Sequence, residues 1–396
     1  ITERHSKMLS YRVDGLKKNQ AASAIFLAQG NVPKPFAILK QRDLAETLTQ
    51  LAESGREGFY GGEVAEQLVS AVRQAGGIWQ QQDLADYQVV ERVPVKGSYQ
   101  GISITSAPPS SSGGIVLLEA LNILSGFDLQ KTDELTRKHL IIEAMRRAYH
   151  DRALYLGDTD FIDIPVKRLL SEDYAAGIRS TIRPDKALAS GFLSGDLPEE
   201  NQGTQTTHFS IIDEEGNRVA ATLSINNAFG AGFVPEGTGV LLNNEMDDFS
   251  SLPGAMNSYG LVSGVANSIA PGKRMLSSMA PTFLETPDRI AVLGTPGGSR
   301  IISMVLLGVL DFAKGNNPES WVSLPRFHHQ YMPDVVEYEK TAFTPDELTK
   351  LSELGHKLKE TKRLYGDMQA VQLHKLTKKL SAASDPRGEG KAWTSP

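Results

Sequence analysis

The sequence predicts a layered fold of the α/β or α+β class. Two patterns support this. Apolar residues recur with helical period through the first half, while short alternating runs separated by Gly-rich turns dominate the second. With 396 residues, 40% hydrophobic and 22% charged, the chain can bury a large core and does not read as disordered.

Residues 43–51 carry Leu44, Leu48 and Leu51 at helical spacing, and residues 63–72 carry Val64, Ala65, Leu68 and Val72. Alternation over residues 102–105 predicts a strand. It runs through the turn Ala107-Pro108-Pro109-Ser110-Ser111-Ser112-Gly113-Gly114 into an apolar helix at 115–124. Residues 134–156 predict a long amphipathic helix with Leu140, Ala144, Ala148 and Tyr155 along one side. Residues 195–205 are polar and aperiodic, the pattern of a mobile linker. Beyond them, 206–212 and 219–223 read as strands around the turn Asp213-Glu214-Glu215-Gly216-Asn217, followed by strands at 240–242 and 290–293 and a helix at 301–314.

Several function classes fall away on composition. With 41 Lys and Arg against 47 Asp and Glu, the net charge of −6 disfavours general phosphate-backbone binding. Having no cysteine excludes disulfides, thiolate metal sites and a cysteine nucleophile, and leaves the redox compartment open. The longest apolar run, 301–313, contains Asp311 and is short of the ~20 residues a membrane helix needs. The chain opens on Ile1-Thr2-Glu3-Arg4-His5, neither an initiator Met nor a signal peptide, so an upstream segment is expected to have been removed.

If Ile212 pairs with Arg218 across the turn, Thr206 falls opposite Ser224 on the same face. A threonine that begins a strand directly after a linker, with a hydroxyl across the ladder, suggests an N-terminal nucleophile. A hydroxyl needs a base near neutral pH, and a freed α-amine with reference pKa of about 7.7–8.0 would supply one on the same residue. Thr-Thr-His-Phe-Ser also reads as an ordinary β-branched strand start. His208 shares the face of Thr206 and suits a supporting role better than that of base. Thr204 and Thr207 are rival nucleophiles; Thr207 points to the opposite face and Thr204 lies outside the hairpin.

Six segments resemble the gamma-glutamyltransferase (gamma-glutamyltranspeptidase) family. They are Gln205-Thr206-Thr207-His208-Phe209-Ser210, Leu241-Leu242-Asn243-Asn244-Glu245-Met246-Asp247-Asp248-Phe249, Arg274-Met275-Leu276-Ser277-Ser278-Met279, Gly294-Thr295-Pro296-Gly297-Gly298-Ser299-Arg300, Pro108-Pro109-Ser110-Ser111-Ser112-Gly113-Gly114 and Pro325-Arg326-Phe327-His328-His329-Gln330. They span nearly the whole chain in the family's order. The resemblance implies an α+β, Ntn-hydrolase four-layer αββα sandwich built from one autocleaved precursor. Cleavage at Gln205–Thr206 would make residues 1–205 the C-terminal part of a large subunit and residues 206–396 a small catalytic subunit. The mature enzyme would transfer a γ-glutamyl group from glutathione or a related amide to Thr206, and then to water, an amino acid or a peptide.

The other motifs are readable two ways. Glu245 and Asp248, spaced i, i+3, suit a substrate ammonium; a metal site and a solvated turn are the rivals. The resemblance assigns them to the α-amino group of the γ-glutamyl moiety, with Asn226. Ser277 and Ser278 could hold a carboxylate or form a plain loop, and the resemblance assigns them the α-carboxylate. Gly297 and Gly298, between a strand and a helix, fit neither a Walker motif nor a dinucleotide fingerprint. They read as a turn or as an oxyanion hole, which is the family's use. Residues 250–259 resemble the lid loop of bacterial members, with Tyr259 as a wall over the site; an ordinary surface loop is the alternative. His328, His329, Asp385 and Arg387 are expected to be structural.

Family members carry a further N-terminal stretch holding an arginine for the substrate carboxylate, and no residue here takes that role. No cofactor and no metal is called for, no nucleic acid or membrane span is expected, and the two subunits should pair with each other. The resemblance implies a periplasmic or secreted protein. A cephalosporin (glutaryl) acylase of the same superfamily and an inactive remnant are the alternatives; the acylase substrate lacks the amino group that Glu245 and Asp248 would bind.

Overall fold

The computed structural model describes residues 1–193, 206–252 and 254–395. The predicted linker at 195–205, including Thr204 and Gln205, lies outside the described residues. Two compact units are present, residues 1–91 with 225–245 and residues 92–224 with 246–396.

The first unit carries the helices α1 (Glu3–Leu16), α2 (Gln20–Phe26), α3 (Arg42–Ser54), α4 (Glu57–Tyr60), α5 (Gly62–Gln74) and α6 (Gln81–Ala85). Thr2 and Asn19 cap α1 and α2 by accepting from the backbone N–H groups of His5 and Ala22. Their apolar faces meet Val234 through Leu9, Leu16, Ala22 and Phe26. Helix α5 buries Val64, Ala65 and Leu68 as its periodicity predicts, with Val69 in place of Val72, which is only partly buried. In α3, by contrast, Leu48 and Leu51 stay exposed, and the buried residue is Thr47, which donates to the Thr238 carbonyl at 2.8 Å. Residues 240–242 form no strand; only Leu242 pairs, with Phe233 and Ala231, so no ladder extends past one residue.

The second unit holds β1 (Val95–Tyr99), β2 (Ile102–Ser106), α7 (Gly113–Leu124), α8 (Glu134–Tyr155), α9 (Val166–Leu169), α10 (Glu172–Arg179), β3 (Thr206–Ile212) and β4 (Arg218–Ser224). It continues with β5 (Thr282–Glu285), β6 (Arg289–Gly294), α11 (Ile301–Ala313), α12 (Pro318–Ser323), β7 (Phe327–His328), β8 (Val336–Tyr338), α13 (Pro345–Glu353), β9 (Leu358–Glu360), β10 (Gln369–His374) and β11 (Leu380–Ser384). Its main sheet runs β1-β2-β5-β6-β10-β11, and β7-β8-β9 form a smaller one. All ladders of the main sheet are antiparallel.

Period-two alternation explains why β6 is apolar throughout. Ile290 and Val292 point toward the β3–β4 hairpin, packing with Ile212 and Val371. Ala291 and Leu293 face the other way, into a core shared with α7, α8 and α11. Helices, sheet and hairpin are thus successive layers. The outward face of the hairpin presents Phe209, Ile211, Val219 and Leu223 at 43–55% exposure.

Helix α7 is apolar on nearly every side because it is buried on nearly every side, with Glu119 as its one buried acid. Helix α8 departs from the single apolar stripe expected of it: it is enclosed almost all round, charges included. Glu143 accepts from Arg146 at 3.1 Å and Arg147 at 2.6 Å, and Arg146 also reaches Asp334. Pairing of this kind lowers the cost of burying such charges.

Candidate active site

The β3–β4 register runs from Ile212↔Arg218 to Thr206↔Ser224, as the sequence predicts. Thr206 Oγ1 donates to Ser224 Oγ at 3.1 Å. Thr206, His208, Ser210 and Ile212 share the inward face, while Thr207 is exposed on the other.

His208 is buried and bonded at both ring nitrogens, Nδ1 to Thr222 Oγ1 at 2.8 Å and Nε2 to Ser210 Oγ at 3.0 Å. Ser210 gives its only hydrogen to the Gln369 carbonyl at 3.1 Å. It must therefore accept from Nε2–H, leaving Nδ1 to accept from Thr222. Burial pushes the imidazole pKa down to about 3. The ring is neutral, fully engaged and no base for Thr206.

Three more rings are held neutral by burial, His329 and His356 pushed down to about 3 and His328 to about 4. Since the unfolded imidazoles protonate below about pH 6.5, the unfolded state binds more protons between there and pH 3–4. Stability should therefore fall as pH drops through that window and be insensitive to these groups above it. Thermal melts from about pH 8 to about pH 4 check this; a midpoint that does not move would contradict the buried neutral state.

Strand β6 ends at Gly294 against the hairpin: a Cβ there would lie 2.2 Å from His208 Cε1. The chain then turns through Thr295 and Pro296 to Gly297 (φ 152) and Gly298 (φ 56), and a 3-10 turn, Gly298–Arg300, leads into α11. Only glycine takes these angles without strain. A Cβ on Gly298 would also meet Tyr259 Cε1 at 2.2 Å. The Tyr259 ring lies directly over this turn, and its carbonyl accepts from Gln330 Nε2 at 3.1 Å. A helix start in this conformation offers unpaired N–H groups and partial positive charge to a developing anion.

Asn257 shapes the loop below Tyr259. Its Oδ1 accepts from the Tyr259 and Leu261 amides at 2.9 and 3.0 Å, and its Nδ2 donates to Asp248 Oδ1 at 2.9 Å. Asn267, fully buried, links Asp248 to the serine turn: Nδ2 donates to the Asp248 carbonyl at 2.7 Å and Oδ1 accepts from the Leu276 amide at 3.0 Å.

Ser277 and Ser278 are laced to the Ser110–Ser112 turn. The Ser277 amide donates to the Ser110 carbonyl at 2.9 Å, and the Ser112 amide and hydroxyl donate to the Ser277 carbonyl at 2.8 and 2.7 Å. Beneath them, Arg152 on α8 donates from Nε to Ser112 Oγ at 2.9 Å and from Nη2 to Ser278 Oγ at 3.3 Å.

A sequence profile described as Gamma-glutamyltranspeptidase matches residues 1–395. The chain belongs to the gamma-glutamyltranspeptidase family. It is 45% identical over 355 residues to a glutathione hydrolase proenzyme of Pseudomonas sp. (strain A14), covering 88% of this chain and 62% of that protein. It is 41% identical over 382 residues to a glutathione hydrolase proenzyme of Escherichia coli (strain K12), covering 96% and 65%. The chain thus spans less than two thirds of these two relatives. Among solved structures, a cephalosporin acylase from Bacillus halodurans superposes with TM-score 0.86 at 28% identity, covering all of this chain and 72% of that one. The fold is the mixed α+β architecture of the Ntn hydrolases.

Of the residues that the resemblance to gamma-glutamyltranspeptidases nominates, Thr206, Ser224, Asp248, Tyr259, Ser277, Ser278, Gly297 and Gly298 all belong to the second unit. Asn226 and Glu245 belong to the first. There Asn226 is buried at φ 66 and donates from Nδ2 to the Asn244 carbonyl at 3.1 Å. The Glu245 amide donates to Asn243 Oδ1 at 2.9 Å. One 3-10 turn, Glu245–Asp248, carries both acids.

His328 and His329 are packed as structural residues: His328 bonds Ser303 and Gln330, and His329 bonds Asp334 at 3.1 Å. Asp385 holds Arg326, and Arg387 pairs with Glu339 at 2.6 Å. His139, Glu143 and His356 come together with ligand-type atoms within 4.8 Å. The two rings, however, share a 2.7 Å hydrogen bond and Glu143 is taken by two arginines, whose charge would repel a cation. Asn257, Asn267, Ser112 and Arg152, which hydrogen-bond the nominated residues, carry no sequence signal of their own beyond the Ser110-Ser111-Ser112 motif.

Proposed function

We propose that this chain is the catalytic part of a γ-glutamyl hydrolase and transferase that matures by cutting itself before Thr206. The observation that carries the reading is the 3.1 Å bond from Thr206 to Ser224 at the open end of a hairpin packed against Gly294. In maturation, Thr206 Oγ1 attacks the Gln205 carbonyl carbon, the peptide C–N bond breaks with its nitrogen taking up the hydroxyl proton to free the Thr206 α-amine, and water hydrolyses the resulting ester to release the Gln205 carboxylate and the Thr206 hydroxyl. That amine then accepts the Oγ proton as Oγ attacks the γ-carbonyl of the donor. The Gly297 and Gly298 amides stabilise the tetrahedral oxyanion. The leaving amine departs protonated, and water or an amino acid or peptide resolves the γ-glutamyl ester.

Asp248, with Glu245 three residues earlier and Asn226, is assigned the donor's α-ammonium, and Ser277 and Ser278 its α-carboxylate. Tyr259 walls the site. Glutathione and related γ-glutamyl amides are the expected donors, in an exported compartment. Residues 1–205 and 206–396 would stay together after cutting because β2 and β5 share a ladder from Ser103↔Glu285 to Ser106↔Thr282.

The cephalosporin acylase likeness favours a second substrate class, glutaryl amides. A hydrogen bond to a charged group contributes about 1.5–3 kcal/mol, so an ammonium at Asp248 should favour γ-glutamyl over glutaryl p-nitroanilide by at least about tenfold in kcat/KM. Mass spectrometry of the incubated protein should find two fragments divided before Thr206, co-eluting until denaturant is added. Preference for the glutaryl anilide would overturn the substrate assignment, and a permanently uncut chain would support the inactive remnant.

A further inference from the structure

We infer that Arg152 is a positioning residue that makes the serine turn a receptor for a carboxylate, so that the enzyme demands donors with a free carboxylate on the carbon bearing the amino group. This rests on the γ-glutamyl reading above and assigns a new residue to it.

Arg152 is 2% exposed. Its neighbours on α8, Arg146 and Arg147, are neutralised by Glu143, whereas among the described residues Arg152 has no carboxylate within 4.0 Å. Its Nη1 is buried and makes no hydrogen bond. A lone guanidinium in a dry interior is costly unless an anion joins it. Burial pushes its pKa down to about 10, with Tyr149 and Asp248 acting against that shift, so it remains a cation at neutral pH.

The hydrogen-bond directions show how the charge is relayed. A serine hydroxyl has one hydrogen, and the Arg152 N–H groups occupy acceptor sites on Ser112 and Ser278. Ser112 passes its hydrogen to the Ser277 carbonyl, which fixes the turn. Ser278 accepts from Arg152 and keeps its own hydrogen available to donate to an anion. A hydroxyl polarised by a buried cation is a stronger donor in a low-dielectric site. Asp248 acts electrostatically on the same guanidinium. An α-amino acid zwitterion, with its ammonium at Asp248 and its carboxylate at the serines, would complete the balance of charge.

The test compares two anilides on the cleaved protein: γ-glutamyl-p-nitroanilide, and 4-aminobutyryl-p-nitroanilide, which keeps the amine and lacks the carboxylate. Arg152→Met should raise KM for the first by about 10- to 100-fold with kcat changed less than about threefold, and leave kcat/KM for the second unchanged. Arg152→Lys keeps the buried charge, guards against a folding failure, and should recover part of the preference. Equal losses on both anilides, or no loss on either, would overturn the inference and leave Arg152 a packing residue. If the unsubstituted protein cuts itself but turns over neither anilide, the γ-glutamyl reading itself fails and this inference with it.

Discussion

Thr206→Ala should leave one uncut polypeptide and abolish turnover. Removing a nucleophile that acts as a unit with its base lowers kcat by about 10⁴-fold or more, because no other group can form the ester. The same substitution removes the hydroxyl that opens the Gln205–Thr206 bond, so cutting and catalysis should disappear together. Thr206→Ser retains the hydroxyl and should retain both at reduced rates. Ser224→Ala, which removes the acceptor of the 3.1 Å bond from Thr206, should cost about 0.5–1.5 kcal/mol for that bond, or roughly two- to tenfold. Mass spectrometry and Edman sequencing read the result. Cutting that persists in Thr206→Ala would move the nucleophile to Thr204 or Thr207. The exposed, outward placement of Thr207 makes it the weaker of the two.

Gly298→Ala should lower kcat by about 10²–10³-fold, the effect of losing one oxyanion donor. Two physical conflicts coincide there. An alanine at φ 56 adopts a sparsely populated backbone region that costs about 1–3 kcal/mol. Its Cβ would also sit 2.2 Å from Tyr259 Cε1, so either the ring or the turn must move. Adding Tyr259→Ala separates these terms: it relieves the clash and leaves the backbone term. If the double variant recovers full kcat, the glycine is needed only for packing and the oxyanion assignment falls. If kcat stays low while KM changes, the amide geometry is what matters.

The hairpin is legible in the sequence because its information is local. A five-residue turn and strict alternation from Thr206 to Ser224 leave one register that keeps Ile212 inside. The apolar runs of α7 and α11 are equally plain, since a helix buried on nearly all sides by apolar neighbours is mostly apolar all round. Local patterning misleads at residues 240–242, where three apolar residues resemble a strand but only Leu242 finds backbone partners. It also misleads at α8, where pairing with Asp334, Thr181 and Ser278 lets charged residues occupy nearly every face.

Sequence alone determined the β3–β4 hairpin, strand β6, helices α7 and α11, the facing of Thr206 and Ser224, and the family motifs. Tertiary structure alone decided that Ser112 and Ser277, 165 positions apart, form one turn, and that Arg152 lies 126 positions from the serine it holds. It also decided that strands from both sides of the expected cut build one sheet. The physical reason is range. Side-chain period and turn chemistry act over a few residues and leave a trace in the sequence. A buried cation's partners are chosen by whichever segments the packed layers bring within about 3 Å, and no period records that choice.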